Sequence, residues 1–253
     1  MVETSPSLFL MSLRLDIRHG YAEAVHKRLP LRDLDVGYLV HCQLKGLFGE
    51  LAPKPFFVQN ESGPLLRVLG YTQNSKEALK AHSEAFAQPE AYSTCCWDTL
   101  KVKPMPLVWK KGMIVGFETV VCPVQRMAKA TTNHAKGSEV DVFLAECWKT
   151  GNPDIPVNRE EVYRRWLGEQ LERLKGGSLR QASLLGFKRE RFCRRTQGVP
   201  RIAHRTERPE AHMKGLVEIT DSEAFASLLK RGIGRHRAFG FGMLLLRPAQ
   251  TIC

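Results

Sequence analysis

The chain has 253 residues, 43% of them apolar, and a formal net charge of +12. That length suits one large unit or two of about 100–130 residues each, and the apolar share can build a core, which excludes disorder. No apolar run reaches the roughly 18 residues of a membrane helix, and the start of the chain, MVETSPSLFLMSLRLDIRHG, lacks the basic segment and small-residue cleavage site of a secretory leader. A cytoplasmic protein with no membrane partner is therefore expected.

Residues 8–17 alternate enough for a strand, and residues 20–29 can form a short helix. Asp35 is placed to cap a second helix. In it Val36, Leu39, Val40, Leu44, Leu47 and Phe48 recur at helical spacing, the best amphipathic pattern in the chain, and Pro53 and Pro55 stop it. Strands are predicted at 56–59 and 65–71, a helix at 75–87 opened by a capping-box-like Asn74 and Glu77, and a strand near 99–103. Strand, helix, two strands, helix, strand is the order of a ferredoxin-like unit.

Pro104, Met105 and Pro106, then Lys110, Lys111 and Gly112, mark a joint. Residues 113–126 read as a strong strand, and helices are predicted at 138–149 and 159–174. Residues 178–195 read as a basic hairpin or strand pair, 213–219 as a strand, 221–231 as a helix and 243–247 as the last strand. The second half repeats the order of the first. The expected fold class is thus α+β, with two tandem ferredoxin-like (RRM-like) domains at 1–108 and 109–253 and a helical insertion at about 127–175 of the second.

The charge is unevenly placed. Arg159 to Arg208 holds 14 Lys/Arg against 6 Asp/Glu, and Lys230 to Cys253 holds 5 Lys/Arg and no acid. The C-terminal half is therefore a polyanion-binding candidate, although a solvated basic surface would show the same composition. The seven cysteines (Cys42, Cys95, Cys96, Cys122, Cys147, Cys193 and Cys253) include no CxxC pair. His19, His26, His82, His134, His204 and His212 show no ligand spacing, so neither a metal nor any other cofactor is expected. Trp97, Trp109, Trp148 and Trp166 lie in apolar patterns and read as core.

Two features could carry chemistry. At about 100° per residue, Tyr38, His41 and Lys45 fall at i, i+3 and i+7 on one ridge, away from the apolar stripe. An imidazole can move a proton near neutral pH, an ammonium can stabilise charge on a phosphate oxygen, and a phenol can hydrogen-bond the phosphate or orient the sugar. A surface histidine on a helix is the bland alternative. The second feature runs from Arg231 through Gly232, Gly234, Arg235, His236, Arg237 and Gly240 to Gly242. Four glycines let backbone N–H groups approach a phosphate, and the arginines add bidentate donors. The loop leads from a helix into a strand, so it is neither a Rossmann nor a Walker loop. Lys188, Arg189, Arg191, Arg194 and Arg195 are the candidate contacts to an RNA stem.

These residues match a family. The ending GIGRHRAFGFGMLLLRP resembles the glycine-rich loop and last strand of CasE, the repeat-RNA endonuclease of Cascade-type CRISPR systems in the RAMP superfamily, and MKGLVEITDSEAFASLLKRGIG resembles the strand and helix before it. GYLVHCQLKGLFG resembles the family's first helix with its Tyr-x-x-His pair, and VGFETVVCPVQR the strand opening its second domain. The resemblance places Tyr38 and His41 on catalytic positions and Lys45 near a basic one. It implies two tandem ferredoxin-like domains with a basic groove, and cleavage at the base of a repeat hairpin. The 2′-hydroxyl attacks without a metal, leaving a 2′,3′-cyclic phosphate and a 5′-hydroxyl. The product is kept as crRNA within an effector complex, so repeat RNA and other subunits of that complex are the implied partners. Two features depart from the pattern, the interposed residues 18–34 and the long insertion. Both suit the related processing enzyme of type IV systems, where arginines could share the catalytic work. The rival readings are a non-catalytic RNA-binding subunit of the same assembly and a basic protein that binds DNA or ribosomal RNA structurally.

Overall fold

Alternation along the first strand decides which side of the first sheet is covered. Met11, Leu13 and Leu15 of β1 (Phe9–Asp16) are buried on one face, while Ser12 and Arg14 point to the other. The computed structural model describes residues 8–26, 35–61, 63–106, 108–130, 134–151, 155–195 and 203–249. After β1 come α1 (Ile17–His26), α2 (Val36–Phe48), β2 (Phe56–Asn60), β3 (Leu65–Thr72), α3 (Lys76–Phe86), α4 (Pro89–Thr94) and β4 (Cys95–Pro104). The strands pair antiparallel in the order β2-β3-β1-β4, which is the ferredoxin-like arrangement. Val40, Leu44, Leu47 and Phe48 of α2 pack on Met11, Leu13, Leu15 and Val68 to make its core. The short helix α4 carries no apolar period and falls outside the sequence expectation.

The second half has the same plan. It runs β5 (Ile114–Val121), β6 (Val124–Arg126), β7 (Glu139–Asp141), α5 (Val142–Thr150), α6 (Arg159–Arg173), β8 (Gly177–Arg195), β9 (Ala203–Ile219), α7 (Ser222–Arg231) and β10 (Leu245–Arg247). The sheet order β10-β5-β9-β8 repeats that of the first half, so the protein is a tandem of two ferredoxin-like units. Within the expected insertion, α6 occupies the crossover from β5 to β8. The β6-β7 pair and α5 are additions to the plan. They are tied down by Tyr163, whose hydroxyl donates to Asp141 at 3.0 and 3.1 Å, and by Arg159, whose guanidinium lies 3.7 Å from the Phe143 ring centre and 4.0 Å from that of Phe187.

The basic segment 178–195 is not a hairpin in itself. It is one strand of 19 residues, paired with β9 from Gly177–Ile219 to Arg195–Ala203. Register shifts at Leu179/Gln181 and Leu184/Gly186 twist it. Only Ala211–Glu218 of β9 also pairs with β5, so the outer part of β8 and β9 leaves the sheet as a two-stranded ribbon. Trp109 and Trp166 are buried as expected, but Trp148 is 48% exposed with its ring against His134.

The units share a core. Leu8, Phe57, Leu69 and Tyr71 of the first join Val115, Phe117, Leu228, Leu229, Met243 and Leu244 of the second in one buried cluster. A hydrogen bond crosses it: the Tyr71 hydroxyl donates to the Leu244 carbonyl at 2.9 Å. Tyr71→Phe would leave that buried carbonyl without its donor and lower stability by about 1–2 kcal/mol. Urea unfolding should show a lower midpoint at constant slope, and an unchanged midpoint would mean that the bond contributes nothing.

Candidate active site

The N-terminus of α2 meets the glycine-rich loop almost backbone to backbone. A Cβ on Gly37 would lie 2.1 Å from the carbonyl oxygen of Phe239, so glycine permits the approach. Asp35 caps the helix, accepting from the Gly37 N–H at 2.8 Å and the Tyr38 N–H at 3.1 Å. The Phe239 ring then serves two side chains at once. Tyr38 stacks on it at 6.0 Å between centroids, and His41 meets it edge-on at 5.4 Å. The two segments singled out by sequence are thus one site, joined by an aromatic residue that no sequence pattern marks.

His41 is half-buried, and burial pushes its pKa below the ordinary 6.5. Lys54 and then Lys45 push it the same way by charge repulsion. Burial and the two ammonium groups thus favour the neutral imidazole, the form able to accept a proton. Lys45 sits on the expected ridge but is ion-paired with Glu50, at a site open to solvent. Lys54 carries no sequence signal of its own. It lies in the turn after α2, between Pro53, which packs on Gly70, and Pro55, which packs on Gly232 of the loop. Proximity created by a returning turn leaves no periodic mark.

The glycines close the loop more than they open it. Gly232, Gly234, Gly240 and Gly242 all have positive φ, from 68° to 86°. The N–H of Gly232 donates to the Leu228 carbonyl and that of Gly242 to the Val120 carbonyl, each at 2.7 Å, so those two donors are already used. Arg237 donates to the Arg231 carbonyl. His236, read from sequence as an RNA contact, is instead almost buried, with its Nε2 2.8 Å from Glu139 Oε2. Arg235 reaches Glu139 Oε1 at 2.8 Å, and Arg208 of β9 reaches Oε2 at 3.2 Å. Hydrogen bonding by His236, with the charges of His236, Arg208 and Arg235, pulls the Glu139 carboxyl down to about 2.

On the ribbon, Lys188 pairs with Glu190 at 2.8 Å and Glu210 at 3.2 Å, and Arg189 lies 3.7 Å from Glu207. Arg191 is exposed. The side chains of Arg194 and Arg195 lie outside the described residues. Among the described residues no group of three or more His, Cys, Asp or Glu is arranged to hold a metal.

Two ferredoxin-like units thus share a core, and a glycine-rich loop closes on a helix-borne histidine. A family model described as CRISPR associated protein matches residues 8–248, and the chain belongs to that family. No curated protein matches it by sequence. In fold it is similar to CRISPR endoribonuclease Cse3 bound to a 19-nt RNA, with TM-score 0.62 and 18% identity, covering 95% of this chain and 100% of that one. It is similar also to Thermus thermophilus Cse3 bound to an RNA representing a pre-cleavage complex (0.59, 17%, 96% and 100%). A third similar structure is Cas6e from Escherichia coli K-12 (0.58, 15%, 95% and 99%).

The cap of α2 makes a pH test. Burial raises the Asp35 carboxyl to about 7, helped by repulsion from Glu190 and Glu210 on the ribbon. The folded protein therefore holds this proton more tightly than the unfolded chain, and stability falls as pH rises from about 4 towards about 7. Asp35→Asn keeps an acceptor for the helix N–H groups and removes the charge. It should raise the melting temperature at about pH 8 and leave it nearly unchanged at about pH 4. The same gain at both values would show that folding leaves the Asp35 carboxyl at its ordinary pKa.

Proposed function

We propose that this protein is a metal-independent endoribonuclease that cuts CRISPR precursor RNA at the repeat hairpin and stays with the crRNA in the effector complex. The observation that carries this reading is the half-buried His41 held beside Tyr38 by Phe239 of the loop, with burial, Lys54 and Lys45 lowering its pKa. Membership in the CRISPR associated protein family and the fold shared with RNA-bound Cse3 support the substrate.

His41 takes the proton of the 2′-hydroxyl as its oxygen attacks the adjacent phosphorus. The nucleophile is already covalently beside its target, so positioning supplies much of the rate and no metal is needed to generate it. The bond to the 5′-oxygen breaks, giving a 2′,3′-cyclic phosphate and a 5′-hydroxyl. Tyr38 orients the scissile group, and the ammonium groups of Lys54 and Lys45 stabilise charge on the phosphate oxygens. Arg235, Arg237 and the ribbon residues Lys188, Arg189, Arg191, Arg194 and Arg195 hold the RNA backbone.

His41→Ala should slow single-turnover cleavage by about 10²–10⁴-fold with RNA affinity retained. A 2′-deoxy substitution just upstream of the cut should block wild-type cleavage, and EDTA should not. Cutting of the deoxy substrate, or arrest by EDTA, would place the nucleophile on a water molecule.

The pH profile tests Lys54 separately. A base with a lowered pKa reaches full activity already below neutral pH, on an acid limb that lies under the ordinary histidine value. Lys54→Gln removes the larger of the two repulsions, so that limb should move to higher pH. A limb that stays in place while the rate falls would confine Lys54 to the phosphate.

A further inference from the structure

The first sheet has a second face, and the fold covers only part of it. Leu10, Ser12 and Arg14 of β1 point away from α2. In register, Leu10 lies opposite Tyr71 and Lys103, Ser12 opposite Leu69 and Lys101, and Arg14 opposite Arg67. At the end marked by Leu8, Leu69 and Tyr71, the second unit packs down on the face. The other end is open and forms a cavity of about 380 Å³ lined by Ser12, Arg14, Arg67, Asp98, Thr99 and Lys101.

The lining is cationic and of unequal availability. Arg14 is held by Glu61, at 2.6 and 3.2 Å. Asp98, the one acid in the lining, acts on that same Arg14. Among the described residues no acid pairs with Arg67 or Lys101, and both are exposed. The Arg67 Nε donates to the Ser12 hydroxyl at 3.1 Å, which orients the guanidinium and leaves the hydroxyl hydrogen for another oxygen. No aromatic side chain lines the cavity, so there is no platform on which a base could stack. What remains is a site for phosphate oxygens. Arg67 and Lys101 stand on the strands either side of β1, and the bond to Ser12 brings the Arg67 guanidinium over the residue that lies opposite Lys101. An RNA backbone crossing β1 there meets both cations, and its charge complements theirs.

We propose that this open half of the sheet is a second RNA site, in which Arg67 and Lys101 hold phosphodiester groups of single-stranded RNA flanking the hairpin, without regard to sequence. The inference rests on the RNA substrate argued above and adds a surface that does no chemistry.

The test compares the full-length protein with an Arg67→Gln, Lys101→Gln double variant, on a repeat hairpin alone and on the same hairpin with single-stranded flanks. The wild type should bind the flanked RNA more tightly than the bare hairpin. The double variant should lose that gain, and its salt slope on flanked RNA should fall by about 0.7 for each phosphate contact removed. Its affinity for the bare hairpin, its cleavage rate at saturating RNA and its melting temperature should match the wild type. Retention of the flank's gain and slope by the variant would overturn the proposal. So would equal wild-type affinity for both RNAs, which would leave the hairpin reading standing and give the face to an acidic protein partner. Binding of neither RNA would overturn both readings. Inorganic phosphate is the third arm: if it abolishes the flank's gain where chloride of equal ionic strength does not, the site is built for free phosphate and the proposal fails.

Discussion

The carboxylate of Glu139 is the tie on which the rest of the site depends. It sits on a three-residue strand of the insertion and binds Arg235 and His236 of the loop and Arg208 of the ribbon. Three segments distant in sequence are thereby fixed relative to one another. The loop so held presents Phe239, and Phe239 sets the positions of Tyr38 and His41. A buried carboxylate is costly to desolvate and is tolerated because three partners share its two oxygens. The insertion thus helps to hold the candidate active site, although no residue of it touches His41 in the described contacts.

The same tie explains why the loop is rich in glycine. Its tight course needs positive φ at four glycines, and Gly242 allows Ile233 and Val120 to come close: a Cβ there would lie 2.0 Å from the Ile233 carbonyl oxygen. These are the demands of packing. The two arginines at the centre of the loop, Arg235 and Arg237, remain partly exposed while they anchor it. Charge and shape are divided between residues in a way that composition alone cannot display.

Most of the fold was legible because it is written in local periods. Met11, Leu13 and Leu15 at spacing two, and Val40, Leu44 and Leu47 at helical spacing, announce their elements. The ribbon was not legible, because its pairing joins residues up to 42 positions apart and Gly186 marks a bulge within a strand, not a reversal. At the site, Tyr38 and His41 stood out as a ridge on one helix. That the ridge is half-buried depends on Phe239, nearly two hundred residues further on. The burial of His236 depends on Glu139, 97 residues earlier. Lys54 reaches His41 through a turn. For the two histidines a local rule identified the side chain and a non-local contact decided its task, whereas for Lys54 only the fold reveals it.

The topology also fixes an order of assembly. The first unit takes all its strands from Phe9–Pro104 and can form its sheet while the remainder of the chain is still being made. The second unit cannot, because β5 lies between β9 and β10, and β10 is the last strand among the described residues. Phe239 lies just before β10, so the surroundings of His41 are completed only once synthesis has passed the glycine-rich loop. A nascent fragment that ends before the loop carries the histidine without its aromatic clamp, so the site is assembled after the sheet of the first unit.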